Sequence, residues 1–385
     1  MDDEPPRSPA TGELDRRYLS LGGCRMQQNV SKLQTNMIAV LFMVSIGIKH
    51  PPVPMILAAR QDAWMGYIVA GIAVLLPLWL MDAVQRRFPD VSLVEAMISR
   101  RPWVGKGVLL LYGFVFFFTI SHDIRFLVSL LSVYLLPMTP LFVLAGTAVF
   151  TAVLFVKSGI VVTARASVIL GPPFVVMVFF LPALLTGQAR LAFLSPVLER
   201  PLGVAEASLY AFGHFAELML IPLLFGQRTF RLAEILPGIA VGIAVTTIMI
   251  LGELVLFGPD LTTMFWDPPY ELIRQLRVTD FLDRLDMVIA AAWMPTALLK
   301  IGITLYFLCQ VACLIVPNLN AKLAAAPVGI LALVCSMWFF DSAVQLGELT
   351  ESRPILFGVF ALFVPLLLFV VLRPKKTKNK VLHRK

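Results

Sequence analysis

Five ionisable residues stand inside stretches that are otherwise apolar: Asp123, Arg125, Glu217, Glu253 and Lys300. A charge at the centre of a membrane-spanning helix costs about 3 kcal/mol or more unless it is paired or hydrated, so each needs a partner. Asp123 and Arg125 are two residues apart and leave a helix on different faces, so their partners must come from other helices. Glu217, Glu253 and Lys300 are the candidates, and a structural network of ion pairs is the expected role. Asp283, Arg284 and Asp286 fall near the expected external end of a helix and would face a wet vestibule. Three of the four histidines, His50, His122 and His214, share the apolar stretches, where a neutral ring bonded to a backbone carbonyl is the common use. Cys24, Cys309, Cys313 and Cys335 show no secreted disulfide pattern, and no metal site is expected of them. No HExxH, Walker loop or serine elbow occurs, so neither enzyme activity nor a cofactor is expected.

The backbone offers chemistry of its own. Residues 45–54 read SIGIKHPPVP, and Pro51, Pro52 and Pro54 leave the carbonyls of Gly47, Ile48 and His50 without helical donors. Unpaired backbone at membrane depth is tolerated only where it is buried in protein or lines a cavity. A second interruption runs from Gly213 past Glu217 to Pro222 and Gly226 in FGHFAELMLIPLLFG. Paired Gly/Pro interruptions at corresponding positions of two halves point to a binding site at the bilayer midplane.

The elements that must position these groups are transmembrane helices. Of the 385 residues, 58% are hydrophobic and only 15% are charged, which is more apolar surface than a soluble domain can hide. Apolar runs long enough to cross a bilayer fall near 34–57, 64–84, 105–135, 140–157, 162–186, 206–226, 235–257, 283–309, 325–341 and 354–372, which predicts ten spans. A β-barrel is disfavoured because the runs are apolar all round. The net charge of +8 resides in loops and tails, so nucleic acid is excluded as a partner, and the placement of most Lys and Arg predicts cytoplasmic termini. Residues 1–32 read as a polar tail without a signal peptide, 33–373 as a single ten-helix domain, and 374–385 as a basic cytoplasmic tail against lipid headgroups. Residues 90–101 suit an amphipathic helix on the cytoplasmic face, and 258–280 suit a folded external cap.

In order along the chain, Gln61-Asp62-Ala63-Trp64, Arg87-Phe88-Pro89, Trp103-Val104-Gly105, Arg125, Leu135-Leu136-Pro137-Met138-Thr139-Pro140, Leu194-Ser195-Pro196-Val197-Leu198, Phe215-Ala216-Glu217 and Phe281-Leu282-Asp283-Arg284-Leu285-Asp286 resemble the spore germination permeases. These are the B subunits of GerA-type germinant receptors, within the amino acid, polyamine and organocation transporter superfamily. The resemblance implies an all-α, ten-helix, five-plus-five inverted repeat with discontinuous helices one and six, in the inner membrane of a spore. It implies a small germinant as ligand, typically an amino acid, and as partners an A subunit and a lipoprotein C subunit. The implied function is a receptor that triggers germination; the alternative is a coupled amino-acid permease of the same fold. Gly47, Ile48 and His50 in span one, Thr119 in span three, and Gly213, Phe215 and Ala216 in span six would line the pocket, with Thr119 donating its hydroxyl. Asp123, Arg125, Glu217 and Lys300 would be structural or coupling charges, Lys300 standing where sodium-coupled superfamily members hold an ion. This chain departs from its relatives at Lys49 and His50, where a glycine-rich break is usual, and at Ala216, where a glycine is common.

Overall fold

A computed structural model describes residues 30–45, 52–224, 229–275, 285–316, 319–340 and 343–372. Gly47, Ile48, Lys49, His50, Asp283, Arg284 and the tails lie outside the described residues. Within them every regular element is a helix: α1 (Lys32–Val44), α2 (Pro52–Ala59), α3 (Ala63–Ala73), α4 (Leu75–Arg86), α5 (Leu93–Arg100), α6 (Pro102–Leu130), α7 (Leu141–Ser158), α8 (Ile160–Leu184), α9 (Pro201–Phe215), α10 (Ile221–Leu224), α11 (Leu236–Thr262), α12 (Pro268–Gln275), α13 (Leu285–Ile315), α14 (Ala321–Trp338) and α15 (Ala343–Val371). Eight helical stretches are long and apolar enough to cross a membrane, and Lys32–Val44 and Leu356–Val371 are shorter apolar helices. The chain is a helical membrane protein.

Local chemistry explains the boundaries. Ser31 caps α1 through a capping box, its hydroxyl accepting from the Gln34 N–H while the Gln34 side chain accepts from the Ser31 N–H. Pro102 and Pro201 each occupy the first position of a helix, where the missing N–H costs nothing. The expected span at 64–84 is bent: α3 and α4 meet at Val74, because Pro77 cannot donate to the carbonyl of Ala73. The last helix starts at Ala343, eleven residues before the apolar run expected at 354; the added turns carry Glu348, Glu351 and Arg353, which hydropathy reads as loop although a helix continues beyond the hydrocarbon. α11 breaks at Gly258 (φ 76), a left-handed backbone that glycine adopts freely.

The centre of the bundle is read from helices with no lipid face. Ile38 to Ser45 of the first helix and its cap, Thr119 to Leu130 of α6, and Phe215 to Leu224 of the sixth run are buried at every residue, as expected of helices surrounded by other helices. At one end of the bundle, Ser92 caps α5, whose Leu93, Ala96 and Met97 pack down; Gly105 gives α6 room to approach the backbone of Met97. Arg87 donates to the carbonyls of Phe369 (2.6 Å) and Leu372 (3.1 Å) at the end of α15 and lies over the Phe369 ring, closing carbonyls that a helix end leaves orphaned. Within the segment expected to form a cap, Pro268–Gln275 is the helix α12, with Tyr270 stacked on Tyr134 and Trp266 near Phe126.

Two of the segments that carry the family resemblance prove to be one contact. Asp62 accepts from the N–H groups of Leu198 (3.0 Å) and Glu199 (3.1 Å), while Gln61 donates to the carbonyl of Pro196 and to Glu199. Leu198 has left-handed backbone (φ 60), a conformation that costs a branched residue about 1–2 kcal/mol and that these bonds hold in place. Beside them Arg60 forks onto both oxygens of Asp260 at 2.9 and 3.1 Å. Asp62 is buried (1% exposed), whereas the Arg60 pair is open to water. Asp62→Ala is therefore expected to destabilise the protein by about 2 kcal/mol, removing the buried carboxylate that accepts both N–H groups, and Arg60→Ala by about 1 kcal/mol or less. Thermal melting of the two variants in detergent checks the order; equal losses would refute it.

Candidate functional site

The centre is held by one lysine. Lys300, from the middle of α13, is fully buried, and its Nζ lies 3.0 Å from Oδ2 of Asp123 on α6 and 2.5 Å from Oε2 of Glu217. Both carboxylates are equally buried. Nζ also lies 6.0 Å from the ring centroid of Phe42 on α1, within cation–π range. On the other side of Asp123, Nδ1 of His122 stands 3.4 Å from Oδ1. Four chain segments thus meet around one ammonium: α1, α6, the interrupted sixth run and α13.

Glu217 reaches the lysine from irregular backbone. The helix α9 runs unbroken through Gly213 to Phe215, and the expected interruption begins only at Ala216, where Ala216–Leu220 tighten into a 3-10 helix before α10. Pro222 explains this, since without its N–H the carbonyl of Leu218 takes an i+3 bond from Ile221 instead. A 3-10 insert inside a helix is a common hinge. Gly213, Phe215 and Ala216 therefore lie on the turn before Glu217, two of them helical and one in the insert.

Thr119 is buried one turn before Asp123 on α6, with its hydroxyl donating to the carbonyl of Val115 at 3.0 Å. The expected donor is thus engaged within its own helix, and the hydroxyl oxygen is left to accept. Arg125 leaves α6 in another direction and donates from Nη1 to Sδ of Met337 on α14 (3.3 Å). Glu253 pairs with neither Arg125 nor Lys300: its carboxylate has no partner among the described residues. Gly47, Ile48 and His50 fall outside the described residues.

Several groups escaped the sequence reasoning. Trp293 of α13 donates its indole N–H to the carbonyl of Ser45, the cap of α1; an end carbonyl buried beside a run of prolines needs such a donor, but nothing in the sequence says which helix supplies it. Ser45 itself is fully buried, with a hydroxyl that has no partner among the described residues. Tyr67 of α3 contacts the ring of Phe215 at 5.8 Å. No group of three metal-ligating side chains occurs among the described residues. The arrangement holds buried charges around the 3-10 insert.

Comparison with known proteins agrees with this architecture. A family model described as spore germination protein, the spore permease family, matches residues 29–343. YfkT of Bacillus subtilis (strain 168), whose name places it in spore germination, is 35% identical over 345 residues, covering 90% of this chain and 96% of its own. Spore germination protein KB of the same organism is 23% identical over 341 residues, covering 84% of this chain and 89% of its own. The chain belongs to the spore germination permease family.

Proposed function

We propose that this chain is the membrane-embedded subunit of a germinant receptor, binding a small germinant, an amino acid or a molecule of similar size, in a midplane pocket and thereby triggering spore germination. The observation that carries the proposal is the Lys300 triad, which ties the hinge at Ala216–Leu220 to α6 and α13 in a water-poor interior. A ligand seated against Gly213, Phe215, Ala216 and Thr119, with Gly47, Ile48 and His50 completing the pocket, shifts the hinge; Glu217 then pulls on Lys300, and the change spreads to two long helices. Ser45, with its unpartnered hydroxyl, lies at the adjoining end of α1.

The finer architecture belongs to the same proposal. The first and sixth spans are each two short helices whose second piece begins with proline at its first or second position, Pro52 in α2 and Pro222 in α10. That parallel supports ten spans in a five-plus-five inverted repeat with discontinuous helices one and six. The A subunit and the lipoprotein C subunit would receive the signal in the spore inner membrane, with both termini of this chain cytoplasmic.

Spores lacking the chain are expected to lose the response to at least one germinant in a panel of amino acids, sugars and nucleosides; unchanged responses to all would refute the receptor assignment. Accumulation of labelled amino acid in vesicles holding this chain alone would instead favour a coupled permease. Thr119→Phe and Gly213→Val are expected to abolish the germinant response at normal protein levels, and a retained response in both would misplace the pocket.

Lys300→Met leaves two buried carboxylates unpaired and is expected to cost about 3–5 kcal/mol. Adding Asp123→Asn and Glu217→Gln should recover most of that stability in a melting experiment without restoring germination. If germination returns with stability, the triad is structural alone.

A further inference from the structure

A second buried acid stands apart from the triad. Glu253 of α11 is fully buried, and neither carboxylate oxygen has a hydrogen-bond or ion-pair partner among the described residues. The titratable groups within its electrostatic reach are the hydroxyl of Tyr67 on α3 and the carboxylate of Asp267, ahead of α12. Asp267 is itself buried and accepts from the Tyr270 N–H at the start of α12.

A fully buried carboxylate with neither oxygen paired among the described residues cannot stay bare without a cost of several kcal/mol. Neutralisation has to come from outside the described side chains. We propose that Glu253 holds one exchangeable positive charge, a proton or an alkali cation, and that this site is distinct from the germinant pocket. The donors are oxygen only, without imidazole or thiol, which suits a hard monovalent ion or a proton and not a transition metal. The site also has a route to the hinge. Tyr67 meets Glu253 electrostatically on one side and the ring of Phe215 at 5.8 Å on the other, and Phe215 precedes the 3-10 insert. Charge at Glu253 therefore biases the conformation of the segment that carries Glu217.

The test uses the full chain in nanodiscs. Its melting midpoint is followed against pH in N-methyl-D-glucamine chloride, and against sodium or potassium chloride at constant pH and ionic strength. The wild-type protein is expected to shift by several degrees in one of the two series; Glu253→Gln, which keeps the shape and removes the charge, is expected to flatten that shift, and Glu253→Asp to retain it. A response to pH alone identifies the proton, and a response to the alkali ions over N-methyl-D-glucamine identifies the metal ion. Responses that are flat in the wild type, or unchanged in Glu253→Gln, overturn the proposal. Should Glu253→Gln fail to accumulate, dicyclohexylcarbodiimide labelling of the wild-type chain, read on the Glu253 peptide by mass spectrometry, decides. Labelling that falls as pH or alkali cation rises supports the site, and labelling indifferent to both, or absent, overturns it.

Discussion

An ammonium ion enclosed among packed helices has no water to satisfy it, and the remaining centre of this protein follows from that fact. Lys300 is fully buried and answered by two carboxylates from two other chain segments. In a low-dielectric interior the attraction is strong but the desolvation it offsets is also large, so the triad contributes less to net stability than to specificity. It admits one relative placement of α6, the sixth run and α13, because any other leaves a charge unpaired.

Backbone carbonyls impose the second constraint. Every proline that breaks a helix here frees a carbonyl, and each freed group inside the bundle has to be bonded, tightened into a 3-10 turn or offered to a ligand. The structure uses the first two solutions openly. Trp293 bonds the end of α1, Arg87 bonds the end of α15, and the Ala216–Leu220 insert satisfies itself. Buried charge and broken helix coincide at Glu217, so a small change in the backbone is coupled to an interaction that tolerates little displacement. That pairing of a soft hinge with a stiff contact is the physical requirement for a switch.

The ends of the bundle are built differently from its middle. Near the end of the bundle, Gln61 donates to and Asp62 accepts from the loop before α9, and Arg60 grips Asp260. These contacts join the turn between the first two spans to the loop before the sixth and to the end of α11. The buried Asp62 carboxylate contributes more than the exposed Arg60 pair.

Membership of a helical membrane class, the approximate position of the long spans and an interruption ahead of Pro222 were legible in the sequence, because lipid demands apolar length and proline withholds a donor wherever it stands; the break expected at Gly47 to Pro54 lies largely outside the described residues. The family motifs were legible as strings, but that Gln61-Asp62 and Leu194–Leu198 are two halves of one clasp was not, since hydrogen bonds between segments more than 130 residues apart leave no trace in local pattern. Hydropathy likewise missed the first turns of α15, whose charges lie on a helix that outruns the apolar core. The five intramembrane charges announced that partners must exist, yet only tertiary packing decided that Asp123 and Glu217 share Lys300, that Arg125 turns away to Met337, and that Glu253 has no ion-pair partner among the described residues. Helical spacing determines which face a residue occupies; which helix lies against that face is settled by how the whole bundle excludes lipid and water.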